Sequence, residues 1–188
     1  MPHAFDFDSV EARLFTLHRV CLGSRPFCEK FQIDRIYESR GEYEWWEYLG
    51  HLKSLVSGTL IDAAVKIRML QDFAKHEDEE LDISSMQIEA TEGLNIGYAV
   101  PNRNPISLRQ SCNKIIHATG ARLVWREDIG AACKFEYWVG EYHLFGAEQS
   151  GAKWETIIFV PDWCTAMIRF NRDFQEKIDW SHVIKWDE

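Results

Sequence analysis

The sequence predicts an α+β fold: a mainly helical body with a small antiparallel β-sheet or hairpin near the C-terminal end. Three observations predict it. Apolar residues step by three and four through much of residues 8–120, as helices require. Beyond residue 120 aromatic and β-branched residues gather in short runs, as strands require. Helices come first, then strands, then a helix, instead of the alternation of a parallel α/β fold. The 188 residues suit one domain over 1–188, with its helical part at about 8–120 and the hairpin plus final helix at about 121–188.

Asp8-Ser9-Val10-Glu11 reads as a capped helix start, and Val10, Leu14, Leu17 and Cys21 continue it as an apolar stripe. Gly23-Ser24-Arg25-Pro26 is expected to end that helix, with a short second helix through Phe27, Phe31 and Ile33. After Gly41, the residues Trp45, Leu49, Leu52, Val56, Leu60, Ala63, Ile67 and Leu70 step by three or four without a proline. They predict a long helix from about Glu42 to about Lys75, with Gly50 and Gly58 as places where it bends or breaks. His76 to Asn104 is polar and reads as an extended connection with one short strand near Ile96–Val100. Ser107 caps a helix from Leu108 to about His117, closed by Thr119-Gly120. Ala121–Arg126, Phe135–Gly146 and Trp154–Val160 read as strands, the last two joined at Gln149-Ser150-Gly151-Ala152. Pro161-Asp162 opens a last helix with Trp163, Met167, Phe170 and Phe174 on its apolar face, and the tail from Trp180 is expected to dock on the body.

Composition narrows the function classes. Residues 1–100 carry 18 acids against 10 bases, and residues 101–188 carry 12 against 11, so the net charge of −9 sits almost wholly in the first part. Such a chain lacks the overall positive field of a nonspecific nucleic-acid binder, although the near-neutral second part leaves room for a local basic patch. The run His76-Glu77-Asp78-Glu79-Glu80 reads as a solvated segment or as an acidic docking surface for a basic partner. Five cysteines with no Cys-x-x-Cys pair exclude a complete disulfide framework and a zinc ribbon. No stretch approaches the ~18 apolar residues of a membrane span, and the N-terminus lacks the pattern of a signal peptide. A cytoplasmic location with reduced thiols and no membrane contact is expected. The histidines show no metal-ligand spacing and no phosphate-binding glycine loop occurs, so neither a metal nor a cofactor is expected.

The richest chemistry lies in Ser107-Leu108-Arg109-Gln110-Ser111-Cys112-Asn113-Lys114-Ile115-Ile116-His117. On a helix, Arg109, Asn113 and His117 share one drifting stripe, which places a cation, an amide and an imidazole together. Asn113-Lys114-Ile115-Ile116-His117 resembles the end of the signature of the HEPN superfamily, in which an Arg is followed by a polar residue and, four to six residues beyond the Arg, by a His. The resemblance reaches loosely over residues 42–120. It implies a helical protein of toxin–antitoxin or anti-phage systems, commonly a homodimer and in many members a metal-independent endoribonuclease. In that chemistry His117 would transfer protons, Arg109 would hold the phosphate and Asn113 would orient it. The sequence departs from the signature where the Arg would stand directly before Asn113, at Cys112; the nearest Arg is Arg109. A thiol cannot replace a guanidinium fork at a phosphate.

Three function classes follow: a HEPN-like protein acting by partner binding or self-association, a ribonuclease using His117 and Arg109, and an acidic inhibitor that mimics nucleic acid. A homodimer or a protein partner is expected of the first, and RNA of the second. Eight tryptophans invite a base-stacking or sugar-binding reading beside the plainer one of core filling. Trp45 and Trp46, being adjacent, point different ways, which makes the pair a candidate interface. Ser111-Cys112-Asn113-Lys114 matches Ser-x-x-Lys but lacks the supporting motifs of the penicillin-binding proteins, and Cys164 reads as a buried structural thiol.

Overall fold

A computed structural model describes residues 6–35, 44–77, 82–130 and 134–177, with backbone only over 73–77. Five helices and five strands occur there: α1 (Phe7–Phe31), α2 (Trp45–Glu77), α3 (Ile83–Thr91), β1 (Gly97–Val100), β2 (Asn104–Pro105), α4 (Leu108–His117), β3 (Gly120–Ile129), β4 (Lys134–Ala147), β5 (Lys153–Phe159) and α5 (Val160–Lys177). The strands form one antiparallel sheet in the order β2-β1-β5-β4-β3.

The expected helical bundle with a sheet confined to the C-terminal end is therefore corrected: the fold is mixed, and β1 and β2 enter the sheet from before α4. Gly97 pairs with Ile158, some sixty residues on, through a backbone approach so close that a Cβ on Gly97 would strike the Ile157 carbonyl oxygen. Local periodicity carries no trace of such a pairing.

Two helix expectations change. α1 does not stop at Gly23–Pro26 but runs to Phe31 with Pro26 inside it. Pro26 is exposed, so the carbonyl it leaves without a donor faces water, while the buried stripe Val10-Leu14-Leu17-Cys21-Ser24-Cys28 passes unbroken beneath it. Packing of that stripe outweighs the roughly 3 kcal/mol penalty of an interior proline. The polar connection also holds a helix, α3, capped by Asp82, whose carboxylate accepts from the Ser84 and Ser85 amides at 3.1 and 3.0 Å. Ile83, Met86 and Ala90 are its buried face. The expected long helix, the capped helix after Ser107 and the last helix all form, the second with a complete capping box between Ser107 and Gln110. The acidic residues 78–80 and the tail from Trp180 lie outside the described residues.

One face of the sheet joins the main core through Leu123, Trp138, Tyr142, Leu144 and Ile158, which pack with α1, α2, α4 and α5. Ser24 ties α1 to both neighbours: its hydroxyl accepts from the Trp138 amide at 3.0 Å and meets the Tyr48 hydroxyl at 3.2 Å. Trp163 is fully buried, and its indole N–H donates to the Ser111 hydroxyl at 2.8 Å, joining α5 to α4. A smaller cluster of Cys28, Ile33, Trp45 and Phe135 closes one end. Cys21, Cys28, Cys112 and Cys164 are all buried and unbridged.

Candidate functional sites

α4 presents its polar stripe as expected, but the stripe does not act as a unit. Arg109 is turned toward α2. Its guanidinium donates to Asp72 Oδ1 at 3.0 Å and to Gln71 Oε1 at 3.4 Å, and its backbone amide donates to Gln87 Oε1 at 2.9 Å. Arg68 reaches the same two acceptors, Gln71 and Asp72, at 3.3 and 3.1 Å. Arg109 thus completes a polar joint between α2, α3 and α4. Asn113 is half-buried and His117 exposed, and neither makes a side-chain hydrogen bond with the described residues. The structure therefore separates Arg109, engaged at one end of the stripe, from His117, free at the other.

Cys112, at the signature's Arg position, is fully buried, and desolvation pushes its thiol up to about 12. Neither its place nor its charge suits contact with a phosphate. Cys164 is likewise buried with its thiol pushed up by desolvation, so it is no activated nucleophile. Among the described residues no cluster of His, Cys, Asp and Glu is placed to hold a metal ion, and no helix is long and apolar enough to cross a membrane.

The tryptophan pair divides. Trp45 is buried and meets Trp125 edge-on at 4.5 Å, whereas Trp46 is 72% exposed. Only Trp46 is free to touch a partner. Trp138 and Trp163 fill the core.

Two features escaped the sequence reading. The first is a group on the second face of the sheet. Arg122 donates to His143 Nδ1 at 3.1 and 2.9 Å through Nε and Nη2, which leaves the ring proton on Nε2, donated to Glu155 at 3.2 Å. Burial, with the adjacent Arg122 charge, lowers the His143 pKa against the opposing pull of Glu155. Both ring nitrogens are occupied, so His143 holds strands together and offers no free base.

The second is the outward face of α2. Opposite its buried row lie Ile61, Val65 and Met69, exposed by 48%, 37% and 66%. They follow at steps of four and so form one ridge. On the same face, ahead of it along the helix, runs a second row of steps of four, Gly50, Ser54 and Gly58, all exposed. A Cβ on Gly50 or Gly58 would meet nothing within 4 Å. Each glycine costs its helix about 0.5–1 kcal/mol against alanine, and nothing among the described residues requires it. From Gly50 to Met69 the two rows contain no charge, on a chain of net −9. A groove of about 240 Å³ between α1 and α2, lined by Ala12, Arg13, Thr16, Leu55 and Thr59 among others, borders this face. The sequence signal was apolar residues out of phase with the core stripe of the same helix.

No protein-family model, curated protein or solved structure matches the chain.

Proposed function

We propose that this chain is a binding protein that works without catalysis, taking a protein partner on the outward face of α2. The observation that carries this reading is the exposed ridge of Ile61, Val65 and Met69. Isolated exposed apolar residues are ordinary, but a continuous uncharged row on a rigid helix is the pattern of an interface. The rim suits it: Asp62 is already paired with Lys66 at 3.0 Å and Arg13 at 3.2 Å, so covering the ridge strands no bare carboxylate there. The test compares wild type with Val65→Asp in sedimentation and in affinity capture. The reading expects an association, with itself or with another protein, that Val65→Asp abolishes. Association unchanged by Val65→Asp, or none at all, overturns it.

A second reading keeps α2 and α4 as HEPN-like helices and His117 as a ribonuclease residue. It is favoured by the exposed imidazole of His117, without a partner among the described residues, on the same face as Asn113. It predicts metal-independent RNA cleavage leaving 2′,3′-cyclic phosphate ends, lost in His117→Ala. Equal inertness of wild type and that variant on diverse RNAs ends it. The engagement of Arg109 with Asp72 places this reading second. The nucleic-acid mimic needs bare clustered carboxylates. Glu11, Asp62, Asp72, Asp128 and Glu136 instead each sit in an ion pair.

A further inference from the structure

We infer that the occupant of the outward face of α2 is the same face of a second copy, the two helices crossing in opposite directions about a two-fold axis. The inference rests on the reading of that face as the docking surface and adds the partner and the register.

The two rows on α2 differ in height. Gly50, Ser54 and Gly58 make a low row; Ile61, Val65 and Met69 make a high one. Helices pack by laying the ridge of one into the groove of the other, and rows of step four on both partners form the commonest such class. Set Ile61 of one copy over Gly58 of the other. Val65 then falls over Ser54, and Met69 over Gly50. All three pairs share one midpoint, between residues 59 and 60. A two-fold axis through that midpoint seats the high row of each chain in the low row of its partner, and does so twice. This is the self-complementarity that an isologous interface requires. An unrelated partner would need only one of the rows, whereas a second copy uses both.

Charge agrees. Two chains of net −9 repel, so a contact between them favours uncharged residues, and the two rows, Gly50-Ser54-Gly58 and Ile61-Val65-Met69, carry no charge. Beyond these rows the same register sets Glu47 of each copy over Asp72 of the other, where Arg68 and Arg109, which already bracket Asp72, supply the opposite charge. A parallel pairing would instead set Glu47 beside Glu47. The open space over Gly58 is then the room the partner's Ile61 occupies.

Register is tested by cross-linking the full chain. Ser54→Cys with Val65→Cys is made in a Cys133→Ser background, the other four cysteines being buried. Two positions eleven residues apart on one helix are about 16 Å apart, far beyond disulfide reach, so any bond joins two chains. Oxidation is expected to give a two-chain species on a non-reducing gel, and Ser54→Cys with Met69→Cys, off register, is not. Gly58→Leu supplies an arm that does not threaten the fold, since a Cβ there meets nothing within 4 Å among the described residues. It is expected to weaken self-association at least about tenfold in sedimentation equilibrium. A single-chain wild type, equal cross-linking of both cysteine pairs, or indifference to Gly58→Leu overturns the inference. If a single-chain wild type still captures another protein that Val65→Asp releases, the broader reading of the face survives and only the second copy is lost.

Discussion

The outward faces of α2 and α4 are both rich in exposed side chains, yet they are exposed for different reasons. On α4 the exposed groups are polar and content in water: His117 needs no partner, and Arg109, where it leaves water, finds Asp72 and Gln71. On α2 the outward face carries Ile61, Val65 and Met69, which water does not satisfy, in line with glycines that the packing of the described residues does not use. A polar stripe on a surface helix is explained by solvent alone. An apolar ridge in line with a row of glycines is explained by a partner.

Four variants separate the two faces. The largest effect is expected on α2: Ile61→Asp combined with Met69→Glu should weaken self-association about a hundredfold or more, measured by sedimentation, because a charge would be buried without a partner. Thermal unfolding of the same variant should show a fold as stable as wild type diluted to single chains, since both residues are exposed in one chain. On α4 the largest effect should be inward. Ser111→Ala strands the buried Trp163 N–H and should cost about 1–3 kcal/mol in denaturant unfolding. Arg109→Ala, acting on the joint with α2, should cost about 1 kcal/mol, its ion pair being partly screened by water. His117→Ala should change stability by less than about 0.5 kcal/mol. If Arg109→Ala leaves stability unchanged but reduces an RNA-directed activity, the contrast between the faces fails and α4 becomes the functional helix.

The second face of the sheet adds a pH dependence through His143. The folded pKa of His143 is below its unfolded value near 6.5, so the unfolded chain binds the proton more readily. The stability tied to neutral His143 is therefore complete above about pH 6.5 and is lost as pH falls through the folded pKa. His143→Gln should flatten the dependence of unfolding free energy on pH across that window, measured by denaturant titration at several pH values.

The sequence displays what is local. The long row from Trp45 to Leu70, the capping box at Ser107 and the face from Trp163 to Phe174 are periodic signals, and each became a helix where expected. Pro26 misled because its cost is local while the stripe that overrides it is satisfied by the sheet and α5. α3 was hidden because its polar outer residues masked Ile83, Met86 and Ala90. β1 was visible as a short strand, but its pairing with β5 was not, since register between segments so far apart is set by tertiary packing. The α4 stripe was legible as a face but not as a site, because the acceptors that claim Arg109 stand on another helix. The second row on α2 could be read from the sequence only by treating the residues left over from the core stripe as a pattern of their own.

The central claim is that the outward face of α2 is an interface. Its most direct test is the solution mass of the intact chain by sedimentation equilibrium, wild type beside Ile61→Asp with Met69→Glu. The account predicts two chains for wild type and one for the variant, both folded by circular dichroism; two chains in both, or a wild type that remains a single chain and captures no protein through this face, would contradict it.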